Sequence, residues 1–119
     1  MSETALYTRI LKLIRKSGGV AEKIHGDGFN RIGTPDILAC VRGRYVAIET
    51  KSKGERATPA QERYLREVRQ AGGIGAVVYD SNVVARALER DFLGCCAKCL
   101  GVIINKGSED EGGHVGGCS

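Results

Sequence analysis

Two β-rich runs joined by one turn-permissive glycine restrict how this chain can fold. Thr34-Pro35-Asp36-Ile37-Leu38-Ala39-Cys40-Val41 is followed by Arg42-Gly43-Arg44 and then by Tyr45-Val46-Ala47-Ile48-Glu49-Thr50-Lys51. β-Branched and apolar residues dominate both runs, and Gly43 allows the chain to reverse between them, so the two segments are expected to pair as an antiparallel hairpin. Side chains at i and i+2 of a strand share a face, so Glu49 and Lys51 project together while Thr50 points away. Counting back from the turn, Asp36 lies near the start of one strand and Glu49 near the end of the other, which places them opposite each other.

Two carboxylates at close range repel unless a positive charge lies between them. Hard oxygen ligands with solvent access favour Mg²⁺ or Mn²⁺ over zinc. On a phosphodiester such an ion polarises the scissile phosphate, lowers the pKa of a bound water and offsets charge developing on the leaving oxygen. Lys51 adds a compact cation for the phosphate or the attacking water. The hairpin therefore points to a metal site for cutting phosphodiesters.

Pro35-Asp36, the hairpin, Glu49-Thr50-Lys51 and the downstream Thr58-Pro59-Ala60-Gln61 together resemble the signature of the PD-(D/E)xK nuclease superfamily. Within it they are similar to the virus-type replication-repair (VRR-NUC) branch, which includes small stand-alone phage proteins. The similarity runs from about Glu3 to Tyr79. It implies a restriction-endonuclease-like, three-layer α/β/α core with a central mixed sheet in the order αβββαβ, extended by a C-terminal helix and a tail. It also implies an Mg²⁺-dependent endodeoxyribonuclease, with Mn²⁺ able to substitute. Asp36, Glu49 and the Thr50 carbonyl would hold the metal, Lys51 would position or activate water, and Gln61 and Glu3 would support the site. A homodimer acting on branched DNA such as a four-way junction is implied as well, because twofold-related sites can nick two strands symmetrically. RNA stays open as a substrate.

The remaining elements follow from local patterns. Residues 2–17 read as a helix capped by Ser2, with Leu6, Ile10, Leu13 and Ile14 as an apolar stripe and Ser17-Gly18-Gly19 as its stop. Glu3 falls on that stripe, and it is either a member of the metal site or a helix N-terminal carboxylate favoured by the macrodipole. Residues 20–25 give a first strand of poor alternation. The Gly-rich loop from Gly26 to Gly33 leads into Asp36, so His25, Asp27 and Arg31 are placed as substrate contacts or as ordinary loop residues. Thr58, Pro59 and Gln61 form a capping box at the start of the next helix, and Gln61 also shares a face with Tyr64, Leu65 and Val68. Ile74 to Tyr79 reads as a buried strand. Ser81 is expected to cap a last helix running from Asn82 to about Asp91, with Val84, Ala85 and Leu88 turned inward.

Charge adds weight to a polyanionic partner. Residues 1–94 carry 16 Lys and Arg against 11 Asp and Glu, whereas the last 25 residues carry 2 against 3. The basic excess belongs to the nuclease-like segment, expected as one domain over residues 1–94. Lys53, Arg56, Arg63, Arg66 and Arg69 are candidates for sequence-independent phosphate contacts beside Arg31, with a solvated face balanced by Glu62 and Glu67 as the alternative. Residues 95–119 are expected to form a Cys- and Gly-rich flexible tail. Cys96, Cys99, His114 and Cys118 have the ligand types and pair spacings of a zinc site, while Gly107 to Gly113 have the acidic, glycine-rich composition of disorder. Five cysteines, with Cys40 in an expected core strand, argue against a secreted disulfide framework. The lack of a long apolar run or a signal-peptide core predicts a cytoplasmic protein without membrane contact. The competing functional class is a non-catalytic DNA-binding or adaptor module with a zinc tail. A plain α/β domain in which Glu49 and Lys51 form a surface pair is the third.

Overall fold

A computed structural model describes residues 2–26, 28 and 30–90. The elements are α1 (Glu3–Lys16), β1 (Val20–Lys23), β2 (Ile37–Val41), β3 (Arg44–Thr50), α2 (Pro59–Gln70), β4 (Ile74–Val78) and α3 (Ser81–Glu89). The strands lie side by side in the order β1-β2-β3-β4. The first three pair antiparallel and β4 pairs parallel with β3, so the sheet is mixed, as the resemblance implied.

The hairpin is as tight as a strand connection can be. Val41 pairs with Arg44, which leaves Arg42 and Gly43 as a two-residue turn with φ of 48° and 83°. Positive φ at both positions matches the right-handed twist of the flanking strands and explains why a glycine stands at the second. From this turn the register runs to Ile37 opposite Ile48. One further step along the same ladder sets Asp36 across from Glu49.

Strand alternation then sorts the core into two halves. Val46 and Ile48 join Ile37, Val41, Ile74 and Val78 on one face, where Leu6, Ile10 and Ile14 of α1 and Val84 and Leu88 of α3 cover them. Ala47 and Val77 face the other way, against Leu65 and Val68 of α2. The result is three layers, with α1 and α3 on one side and α2 on the other. The α2 backbone lies directly on β4: a Cβ built on Gly75 would stand 2.6 Å from the Leu65 carbonyl oxygen.

Several details depart from the sequence reading. In α1 it is Leu11 that is buried, while Leu13 is only partly covered. The cap of α3 is Asp80, whose side chain accepts from the Asn82 amide at 2.9 Å, and Ser81 is the buried first residue of the helix. An Asp caps as well as a Ser, and β4 ends early enough for the helix to begin one residue sooner. On the inward face of α3 it is Ala87 that is buried, while Ala85 is only partly covered. Cys40 lies in β2 but is exposed, because α2 packs over β3 and β4 and leaves that face of β2 uncovered near the turn. Asp27, the helix end near Asp91, and the tail with Cys96, Cys99, His114 and Cys118 lie outside the described residues. Among the described residues no helix is long and apolar enough to cross a membrane.

The close seat of α2 on β4 yields a direct test. Gly75→Ala should lower stability by about 1–3 kcal/mol through overpacking, read as a drop in the urea midpoint. An unchanged midpoint would mean that α2 does not press on β4 as described.

Candidate active site

At the edge of the sheet where β2 begins and β3 ends, five polar side chains and the Thr50 backbone converge. Asp36 precedes β2, and its Oδ2 accepts two hydrogen bonds from Thr50, one from the amide at 3.0 Å and one from the hydroxyl at 2.7 Å. Thr50 is on the α1 face of β3, as alternation requires, yet its hydroxyl reaches Asp36 around the end of the strand. Asp36 Oδ1 lies 4.0 Å from the Lys23 ammonium. Asp36 is thereby held from the α1 side while its backbone register faces Glu49.

Glu49 sits on the other face of the strand and is 3% exposed. One carboxylate oxygen, Oε2, lies 3.6 Å from the Lys51 ammonium. The other, Oε1, is buried with no hydrogen-bond partner. Burial and the neighbouring Asp36 charge push the Glu49 carboxyl up to about 7, against the partial pull of Lys51 in the opposite direction. A buried carboxylate oxygen normally has a donor, so an unsatisfied one beside a second carboxylate fits a cation. Among the described residues no three His, Cys, Asp or Glu side chains converge. The available donor set is therefore two carboxylates and the Thr50 carbonyl, with the remaining positions left to water. That is the usual manner in which Mg²⁺ is held.

The other expected site residues are distributed around this centre. Glu3 faces the loop after Lys51: the Ser52 hydroxyl approaches its carboxylate at 3.4 Å, and a hydrogen bond with Glu55 raises its pKa, followed by burial and the Glu55 charge. Glu55 in turn accepts from the Ser52 amide at 3.1 Å, and its carbonyl accepts from the Tyr79 hydroxyl at 2.8 Å. Glu3 thus clips the start of α1 to the exit of β3. Gln61 completes the capping box, accepting from the Thr58 amide at 2.8 Å while its own amide donates to the Thr58 hydroxyl at 3.1 Å. Its side-chain carbonyl is engaged at the start of α2.

The basic candidates divide in the same way. Arg31 is bound to Glu67 at 2.8 Å and stacks 4.8 Å from the Tyr64 ring centroid, so it braces the Gly-rich loop against α2. Arg69 donates to the Gly75 carbonyl at 2.7 Å, tying α2 to β4. Lys53, Arg56, Arg63 and Arg66 are exposed, as is His25.

Two contributors were invisible to sequence reasoning. The Thr50 hydroxyl was expected to point away, and only the fold shows that Asp36 bends toward it. Lys23 belongs to β1, the strand with poor alternation. Its neighbourhood to Asp36 follows from the β1–β2 register, in which Lys23 faces Ile37 and the Ile24 amide donates to the Asp36 carbonyl at 2.7 Å. No motif spacing encodes that register.

No protein-family model matches the sequence. A curated phage protein named "Putative nuclease p44", from Acyrthosiphon pisum secondary endosymbiont phage 1, is 33% identical over 89 residues, covering 72% of this chain and 90% of that protein. A solved structure described as a VRR_NUC domain superposes with a TM-score of 0.61 at 26% identity, covering 73% of this chain and 94% of that one.

The Glu49 environment makes stability depend on pH. Its carboxyl titrates at about 7 in the folded protein against 4.5 for an ordinary glutamate, so between those values the native state holds a proton that the unfolded chain releases. The corresponding stability is complete below pH 4.5 and is lost as pH rises through about 7, on the order of 3 kcal/mol. In metal-free urea titrations wild type should lose stability over this window more steeply than Glu49→Gln. Equal slopes would refute the burial of an ionisable Glu49.

Proposed function

The chain belongs to the VRR-NUC family of nucleases, and from that premise we propose that it is a metal-dependent endonuclease that hydrolyses phosphodiester bonds in branched DNA. The observation that carries this reading is the buried, partnerless Oε1 of Glu49 beside Asp36 and Lys51. Folding alone does not account for it, because leaving a carboxylate oxygen buried and unpaired costs stability that a neutral residue would not lose.

Asp36 through Oδ1, Glu49 through Oε1 and the Thr50 carbonyl would hold Mg²⁺, or Mn²⁺ in its place. The bound ion supplies Lewis acidity toward the phosphate and lowers the pKa of a coordinated water. Thr50 restrains Asp36 so that Oδ2 stays committed to Thr50 while Oδ1 accepts no bond from it and lies 4.0 Å from the Lys23 ammonium. Lys51, held beside Glu49 in a largely buried position, presents an ammonium to the phosphate or to the attacking water. There it would act by orientation and charge. Glu3 and Gln61 support the site at one remove: Glu3 secures the loop that follows Lys51, and Gln61 secures the first turn of α2.

Lys53, Arg56, Arg63 and Arg66 are exposed and would supply sequence-independent phosphate contacts. No base-reading helix is needed for such contacts, which suits recognition of DNA shape over sequence. A homodimer would set two such centres on two strands of a four-way junction.

End-labelled four-way junction, flap, duplex and single-stranded DNA, each incubated with Mg²⁺, Mn²⁺ or EDTA, test the reading. Cleavage should require a divalent ion and be strongest on branched DNA. Glu49→Gln should cut at least 100-fold more slowly while still binding DNA; sustained cutting by this variant would disprove the assigned role. Sedimentation at working concentration reads the oligomeric state.

A further inference from the structure

The hydrolase reading employs Asp36, Glu49, Thr50 and Lys51 and leaves Lys23 without a task. Lys23 ends β1, an edge strand of the sheet. Its ammonium donates to the Ile24 carbonyl at 2.9 Å, rests 4.9 Å from the Tyr7 ring centroid and stands 4.0 Å from Asp36 Oδ1. Carbonyl and ring together steer a flexible four-carbon side chain toward one place. The side chain is 21% exposed, so its head is neither fully sequestered nor free to wander in solvent.

The Asp36 contact is informative in its length. At 4.0 Å the ammonium and carboxylate attract each other but do not share a hydrogen bond. The oxygen concerned is the one that Thr50 leaves free, since both Thr50 bonds go to Oδ2. Lys23 therefore flanks the oxygen on which a metal would be held, and it does so from the α1 side of the sheet. Lys51 approaches from the α2 side, next to Glu49. Two lysines thus bracket the carboxylate pair from opposite faces, a spacing that suits an anion lying across the end of the sheet.

We propose that Lys23 is a second phosphate-binding cation of the active site, contacting the DNA backbone on the α1 side of Asp36. The inference rests on the phosphodiesterase reading of the site. It also carries an electrostatic corollary: a fixed positive charge beside Asp36 opposes the binding of a divalent cation in the absence of DNA. A lysine that served only to blunt the sheet edge would do neither.

Lys23→Met keeps the length of the side chain and removes its charge, and Lys23→Arg keeps the charge. Three measurements on the full chain separate the roles: Mn²⁺ affinity without DNA, the salt dependence of four-way-junction binding with Ca²⁺ replacing Mg²⁺, and cleavage in Mg²⁺. For Lys23→Met we expect Mn²⁺ to bind severalfold more tightly, the slope of log Kd against log salt to fall by about 1, and cleavage to drop about 10-fold or more. Lys23→Arg should restore the salt slope. An unchanged slope together with wild-type Mn²⁺ affinity overturns the proposal, as does a Lys23→Met defect that is confined to lower thermal stability. Loss of the slope in a protein whose wild type cuts no DNA under any metal would instead refute the hydrolase reading and leave Lys23 as a phosphate contact.

Discussion

The Glu49 carboxylate is buried at the end of β3 with one oxygen facing Lys51 and the other facing no donor. Such a group opposes folding, and the domain tolerates it because the surrounding apolar layers are complete. Every strand position adjacent to it is filled: Ile48 and Val77 are nearly inaccessible, and Leu65 and Val68 cover that face from α2. The same packing that stabilises the sheet keeps water from hydrating Glu49 and so raises its proton affinity. A cation placed there would relieve the repulsion with Asp36 and replace the proton. Stability and chemistry meet at one residue.

What brings Asp36 to Glu49 is ladder register, set at the far end by a two-residue turn. A slip of one residue would move Glu49 and Lys51 to the α1 face and expose the apolar set that α1 and α3 cover. The tight Arg42-Gly43 turn and the buried alternation exclude that slip together. Asp36, outside the regular ladder, is free to rotate its carboxylate toward Thr50. The centre consequently draws on both faces of the sheet, with Glu49 and Lys51 from one and Thr50 and Lys23 from the other. A strictly one-faced site could not place lysines on two sides of the same carboxylate pair.

The hairpin, the opposition of Asp36 and Glu49, the pairing of Glu49 with Lys51 and the capping box of α2 were legible in the sequence because each is a local pattern with a fixed period or offset. The mixed sheet was legible through family resemblance. Lys23 and the Thr50 hydroxyl were not, since one depends on how a short edge strand registers against β2 and the other on a side chain bending around a strand end. The Arg31 and Arg69 side chains illustrate the same limit in reverse. Their positions read as phosphate contacts, but the tertiary fold gives each a protein partner, Glu67 and Tyr64 for the first and the Gly75 carbonyl for the second.

Helix starts sharpen the case for side chains as the phosphate contacts. α3 begins shortly after β4 ends, α2 follows β3 through the loop of residues 51–58, and the Glu3–Ser52 contact sets the start of α1 beside that loop. A positive helix end favours an anionic ligand placed close to it. One first-turn amide of each helix is already capped, however: Ser2 accepts from Ala5, Thr58 from Gln61, and Asp80 from Asn82, while Pro59 has no amide hydrogen to give. Those amides are committed to the protein, which shifts the weight for direct phosphate contacts toward side chains. On the proposed reading, Lys23 and Lys51, which flank the carboxylates, would make them.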